Sequence, residues 1–258
     1  MIALERVSKS FDGGASCAVR SVSLEVAPRT FIALVGDSGA GKTTLMKMIN
    51  RLIDPDEGTV TVAGEPVRSI PAHVLRRRIG YVFQSVGLFP HMTIAQNIGI
   101  TPHLMGWPAA KIRTRVEQLL DLVALPRAFL TRMPAELSGG QRQRVGIARA
   151  LAARPSIMLM DEPFGALDPV TRDTLATEYR RLHDDMQLTT LMVTHDVTEA
   201  VLLADRIVVM RSGAVVADGA PRQLIADHPD PAVRELMDMP RRQAQRLRAL
   251  VDGPQDRG

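Results

Sequence analysis

FIALVGDSGAGKTT, residues 31–44, is the stretch from which the rest of the chain can be read. Phe31 to Val35 is an unbroken apolar run, which suits a strand buried on both faces. Gly36 to Thr43 then matches G-x-x-x-x-G-K-[ST]. Lys42 to Ile53 carries apolar residues at 45, 46, 48, 49, 52 and 53, a helical spacing that Asp54-Pro55 should end. Strand, glycine loop and helix in that order are the context the pattern needs. Glycines let the backbone wrap a phosphate with its N–H groups pointing inward, and the helix N-terminus adds positive potential. Lys42 can neutralise phosphate charge and the Thr43 hydroxyl can ligate Mg²⁺. A chance match in a chain of this length is on the order of one per cent. The plainer alternative, a glycine turn with a surface lysine, has to absorb that coincidence.

Working outward, Val22, Leu24 and Val26 alternate with polar neighbours as a half-buried strand requires, and Thr59–Ala63 and Ile79–Phe83 are strand-like. From Thr93 to Arg154 the chain reads as successive helices. Ile112, Val116, Leu119, Leu120 and Val123 form one apolar stripe, and Ser138 with Gln141 makes a capping box for a helix running to Ala153. Strand character returns at Ile157–Met160, Thr190–Val193 and Arg206–Met210, and a Ser212-Gly213 turn leads to Ala214–Ala217. Strands alternating with helices predict an α/β fold with a mainly parallel sheet, interrupted by a helical insert. Beyond Pro240 the arginines 241, 242, 246 and 248 beside Ala244, Leu247 and Val251 suggest a short amphipathic helix fraying into DGPQDRG. That is either a solvated end or a contact for anionic lipid or a partner.

Composition narrows the class. The 258 residues are 45% hydrophobic and 23% charged, which excludes a largely disordered chain. One cysteine, Cys17, excludes a disulfide scaffold and fits a reducing compartment. The net charge of +4 is spread along the chain and argues for no nucleic-acid partner. No apolar run approaches the ~20 residues of a membrane span. MIALERVSKSF lacks the apolar stretch of a signal peptide, so a cytoplasmic-type protein is expected.

Two further segments carry chemistry. Ile157 to Met160 delivers Asp161 and Glu162 to a strand tip, where ligands bind in open α/β sheets. Asp161 can hold Mg²⁺, and Glu162, facing elsewhere, can polarise an attacking water. By itself this ending is commonplace, and it gains weight from the phosphate loop upstream. Leu137-Ser138-Gly139-Gly140-Gln141 offers a hydroxyl, flexible N–H groups and a helix N-terminus, a second phosphate-binding device. Its plain alternative is an ordinary helix cap.

With LSGGQ in place, residues 1–225 resemble the ATP-binding-cassette (ABC) ATPases. The resemblance implies a P-loop NTPase (RecA-like) core at 1–92 and 155–225, N-terminal antiparallel strands, a helical subdomain at 93–154 and a short extension at 226–258 without CBS domains. It implies ATP and Mg²⁺ at Gly36, Asp37, Ser38, Gly39, Ala40, Gly41, Lys42, Thr43 and Thr44. Thr43, Gln84 and Asp161 are implied metal ligands, and Glu162, His195 and Gln84 catalytic residues. Phe11, in SKSFDG, resembles the aromatic that stacks on adenine, although alone it reads as core or edge packing. His195 resembles the switch histidine, although a lone histidine at a strand end is usually structural. Ser138, Gly139, Gly140 and Gln141 would complete the opposite subunit's ATP site, and Asp168 would communicate across a head-to-tail, ATP-dependent homodimer.

A single cassette without membrane helices implies a transporter subunit on the cytoplasmic side of the inner membrane. It would borrow a separate transmembrane permease and act indirectly with a periplasmic or lipid-anchored solute-binding protein. Soluble relatives working on DNA or ribosomes carry long coiled coils or two cassettes, and the span from Gly41 to Glu136 leaves no room for the former. Met48–Ile53 and Ile79–Ile98 resemble importers of osmoprotectants and quaternary amines such as glycine betaine, choline and carnitine. An amino-acid or other small-solute importer is the alternative. Leu88 and Phe89 are expected either on the permease-facing surface or buried in the seam of the subdomains.

Overall fold

The computed structural model describes residues 1–11, 16–226 and 228–251. In chain order the elements are β1 (Ile2–Ser10), β2 (Cys17–Val26), β3 (Phe31–Val35), α1 (Lys42–Ile49), β4 (Glu57–Val62), β5 (Glu65–Pro66), α2 (Ala72–Arg78), β6 (Ile79–Val82), α3 (Ile94–Leu104), α4 (Ala109–Leu122), α5 (Gly139–Leu151), β7 (Ile157–Asp161), α6 (Pro169–Met186), β8 (Thr189–Val193), α7 (Val197–Leu203), β9 (Arg206–Arg211), β10 (Ala214–Gly219), α8 (Pro221–Ala226) and α9 (Pro231–Val251). They build two sheets. One is antiparallel, in the order β2-β1-β4-β5; the other has six strands, β10-β9-β3-β8-β7-β6, parallel except for β10.

The apolar run 31–35 is a central strand with both faces covered, as its composition requires. Ile32 and Leu34 pack toward the antiparallel sheet and α1, with Leu45, Met46, Met48 and Ile49. Phe31, Ala33 and Val35 pack on the other side, with Val116, Leu120 and Val145 of the helical stretch and Tyr179 of α6. Each fully buried large side chain contributes roughly 1.5–3 kcal/mol. Residues 93–154 therefore share a core with the parallel sheet. The expected stripe is buried at Val116, Leu119, Leu120 and Val123 and half-buried at Ile112.

Two helix ends differ from expectation. α1 stops at Ile49 instead of Ile53. Arg51 adopts φ +52, the Leu52 N–H reaches back to the Lys47 carbonyl (2.9 Å), and the Arg51 N–H to Met48 (3.1 Å). This is a Schellman end built on an arginine where glycine is usual, so the sequence hides it. α5 likewise ends at Leu151, short of Ala153. The C-terminal helix, conversely, begins at Pro231, anchored by buried Val233 and Met237. DGPQDRG and the side chains of Leu247 and Val251 lie outside the described residues, as do Asp12 and Gly13. Among the described residues no helix is long and apolar enough to cross a membrane.

Candidate functional site

Four neighbouring strands, β3, β8, β7 and β6, end level with one another: Leu34 pairs with Val193, Val193 with Asp161, and Met160 with Val82. The loop leaving each carries one predicted segment. Gly36–Thr43 follows β3, His195 follows β8, Asp161-Glu162 ends β7 and Gln84 follows β6. Parallel sheets present ligands at this edge.

The glycine loop is built as the motif requires. Gly36 has φ +140, and a Cβ there would lie 2.0 Å from the Met210 carbonyl oxygen, so no side chain fits. Gly41, at φ +97, caps α1, whose first turn has no acidic residue to oppose its positive end. The Lys42 ammonium donates to the Gly36 and Asp37 carbonyls at 2.7 and 2.8 Å. Burial lowers its pKa, against the raising influence of Glu162, Asp37 and Asp161. Ser38 and Gly39 are exposed, Ala40 is buried, and Thr44 lies in the first turn of α1.

Thr43 Oγ1 donates to Asp161 Oδ1 at 2.9 Å, so the hydroxyl and the carboxylate expected to share a cation already meet. Burial raises the Asp161 pKa, with the Thr43 hydrogen bond acting the other way. A hard divalent cation beside these oxygens would favour the charged carboxylate. Among the described residues there is no cluster of three or more His, Cys, Asp or Glu able to hold a metal. A hydroxyl and a carboxylate oxygen side by side are hard donors that suit Mg²⁺, an ion usually bound by one or two protein oxygens with phosphate and water supplying the rest.

Glu162 turns away from Asp161 because its backbone is left-handed, at φ +48. Its N–H donates to the Val193 carbonyl at 2.9 Å, tying it to the end of β8. Its carboxylate accepts from Gln84 Nε2 (3.0 Å) and lies 3.4 Å from His195 Nδ1. One carboxylate is thus shared by the side chains of two flanking loops. A water placed against it could lose a proton to Glu162.

The remaining predicted residues stand apart from this cluster. Phe11 is exposed, with the Lys9 ammonium 5.7 Å from its ring centroid. It is not core packing. Ser10 pairs with Cys17, and a Cβ on Gly41 would meet the Ala18 carbonyl at 2.2 Å, so the start of β2, which pairs with the residue before Phe11, borders the glycine loop. Ser138 and Gln141 form the anticipated capping box at the start of α5 (3.3 and 3.0 Å), with Gly139 exposed and Gly140 half-buried. Among the described residues no hydrogen bond or ion pair joins 138–141 to 36–44. Asp168 caps α6 by accepting the Thr171 N–H at 3.0 Å, a bond that lowers its pKa.

Leu88 and Phe89 differ in burial, so the expectation that both are buried in the seam holds only for Leu88. Leu88 packs half-buried against the core shared by the helical stretch and the parallel sheet, whereas Phe89 is 40% exposed. Phe89 lines a groove of about 500 Å³ with Leu52, Phe83 and Leu104. Asn97, buried in α3, fixes this turn by accepting the Phe89 N–H and donating to three carbonyls. Sequence reading missed Thr194, Arg172 and Glu199 around His195, although Asp196 followed three residues later by Glu199 has helix-start spacing.

The profile of the ABC transporter family matches residues 19–165. The glycine betaine/carnitine/choline transport ATP-binding protein of Bacillus subtilis is 49% identical over 92% of this chain and 62% of its own length. The glycine betaine uptake system ATP-binding protein of Escherichia coli is 48% identical over 91% of this chain and 76% of its own. A solved dimeric ATP-binding cassette in a post-hydrolysis state with ADP and Pi superposes at a TM-score of 0.80, with 32% identity, covering 85% of this chain and 98% of that one. The chain thus spans less than two thirds of the length of the Bacillus relative.

Proposed function

Because the chain belongs to the ABC transporter family, we propose that it is the ATP-hydrolysing subunit of an importer for quaternary-amine osmoprotectants of the glycine betaine, choline or carnitine type. The observation that carries the ATPase reading is the convergence of Thr43 with Asp161, and of Glu162 with Gln84 and His195, at level strand ends. Gly36 to Thr44 wraps the phosphates, and Lys42 turns from its loop carbonyls to their oxygens. Thr43, Asp161 and Gln84 would hold Mg²⁺, whose charge would offset that of the phosphates. Glu162 accepts the proton of the attacking water, a role worth typically 10²–10⁴-fold. Gln84 and His195 orient that carboxylate and the water. Phe11 stacks on the adenine.

Ser138, Gly139, Gly140, Gln141 and Asp168 are free of the chain's own phosphate loop, and in this reading they complete the site of a second copy. A head-to-tail dimer with two ATP sites follows. The groove at Phe83 and Phe89 receives a helix of a separate permease, which keeps the chain at the cytoplasmic face of the membrane. Solute choice lies with the permease and a solute-binding protein. The named relatives and the resemblance over Ile79–Ile98 support quaternary amines.

The test is a pair of variants. Glu162→Gln should bind ATP, lose about 10²-fold or more in turnover and accumulate as an ATP-dependent dimer in size-exclusion chromatography. Lys42→Ala should lose nucleotide binding and form no such dimer. Near wild-type turnover of Glu162→Gln at saturating ATP would overturn the base assignment. Tight binding of an ordinary amino acid, with no affinity for quaternary amines, by the solute-binding protein encoded beside this chain would overturn the solute alone.

A further inference from the structure

His195 is 68% exposed on its side chain, so its place beside Glu162 depends on how the neighbouring backbone is held. Those neighbours are tied down. Thr194 is buried, its N–H donates to the Leu34 carbonyl at 3.2 Å, and its hydroxyl accepts the Asp196 N–H at 3.0 Å. The same hydroxyl donates to Glu199 Oε2 at 2.8 Å. Glu199 belongs to the first turn of α7, and its side chain is only 10% exposed. Arg172 of α6 lies against this turn, its guanidinium 3.8 Å from Glu199 and 3.7 Å from Asp196. Arg172 also donates to the Leu167 carbonyl at 3.2 Å, one residue before Asp168. Its Nε, buried, has no hydrogen-bond partner among the described residues, so the Glu199 carboxylate is its nearest compensation.

We propose that Glu199 and Arg172 are positioning residues for ATP hydrolysis: Glu199 fixes the Thr194–Asp196 turn that presents His195 to Glu162, and Arg172 ties that turn to the loop bearing Asp168. The inference rests on the ATPase reading above. Burial pushes the Glu199 carboxyl up, and the Thr194 hydroxyl and Arg172 act against that shift, so both partners favour the charged form. A buried carboxylate held on two sides keeps one rotamer, and a turn bonded to it keeps one shape. Because Arg172 contacts both segments, a shift of the Asp168 loop on meeting a second copy would be felt at His195. Neither residue touches the reacting atoms.

The experiment measures ATP hydrolysis and nucleotide affinity of the whole chain with single and paired variants. Misplacing a catalytic group by about 1 Å can cost on the order of 10²-fold. Glu199→Ala should therefore lower kcat by roughly 10- to 100-fold while ATP affinity stays within about threefold. Glu199→Gln, whose amide oxygen still accepts the Thr194 hydroxyl, should recover most of that rate. Thr194→Val should behave like Glu199→Ala and Thr194→Ser like wild type, and Thr194→Val/Glu199→Ala should cost little more than either alone. The Thr194 pair keeps the test decisive if Glu199→Ala does not fold. The positioning role is overturned if Glu199→Ala and Thr194→Val keep kcat within about threefold of wild type, or if their costs multiply. It is equally overturned if rate, affinity and unfolding temperature fall together. Absence of hydrolysis by the wild-type chain would refute the ATPase reading itself.

Discussion

Replacing Gly36 by alanine separates two ways in which a glycine can matter, because Gly39 in the same loop offers the opposite case. At Gly36 a Cβ would sit 2.0 Å from the Met210 carbonyl oxygen, where real Cβ contacts essentially never fall below 3.0 Å, so about 1 Å of movement is needed. Met210 is locked in β9 and pairs with Val215, which leaves the loop to move. The Gly36 carbonyl now accepts Lys42 Nζ at 2.7 Å, and a shift of about 1 Å takes that bond past hydrogen-bonding range. Hydrogen bonds to charged groups contribute about 1.5–3 kcal/mol. Losing one or two of those made to phosphate would weaken nucleotide binding by about 2–5 kcal/mol, roughly 30- to several-thousandfold.

Gly39 is also left-handed, at φ +80, but no atom lies within 4 Å of its would-be Cβ. Gly39→Ala therefore meets no clash within the chain and adds backbone strain of about 1–2 kcal/mol. That strain is present with or without ligand, so it should lower the unfolding temperature and leave affinity within about threefold. Titration with a fluorescent ATP analogue in Mg²⁺, alongside thermal unfolding, reads both quantities. If Gly36→Ala binds as wild type does, or if Gly39→Ala binds more weakly than Gly36→Ala, the steric argument is wrong.

Phe89→Asp places a charge in the groove lined by Leu52, Phe83 and Leu104. If the groove receives the permease as proposed, solute uptake by cells should fall by about tenfold or more, because a carboxylate replaces an aromatic anchor. The ATPase rate of the isolated chain should persist; a fall in both would indicate folding damage. Burial lowers the pKa of His183, which packs on Phe31 with its Nδ1 2.9 Å from Thr190 Oγ1. The unfolded chain takes up a proton at the ordinary value of about 6.5 and the folded one only at lower pH, so stability is lost as pH falls through 6.5. His183→Asn should be less stable at pH 7.5 but show a flatter decline of the urea midpoint toward pH 5.5. Equal slopes for the two proteins would exclude His183 as the source.

What the sequence discloses here follows from where the physics is local. Phe31–Val35 and Ile157–Asp161 announce themselves because a strand covered on both faces needs a continuous apolar run. The phosphate loop is legible because few residue types tolerate its backbone. β1 is not legible, since Arg6 at φ +48 and the register shifts around it break the alternation of Ile2, Leu4 and Val7. Glu162 and Asp161 can be given separate tasks from sequence because neighbours at a strand end face apart, but the left-handed backbone at Glu162 is not legible. Likewise, Leu88 and Phe89 look alike as letters; the Asn97 side chain, buried in the next helix, fixes the turn on which they divide. Glu199 escapes notice because its partners come from α6 and the end of β8.

The early end of α1 has a mechanical meaning. Eight residues of helix span about 12 Å. Leu45, Met46, Met48 and Ile49 are fully buried along its length, and a rod so short and so gripped does not bend. Lys42 stands at one tip, and beyond the other tip Asn50 and Leu52 line the groove beside Phe89. The truncation makes α1 a short strut with the glycine loop at one end and the groove at the other, so that under the proposed function a displacement at one tip would be passed along a buried rod to the opposite one.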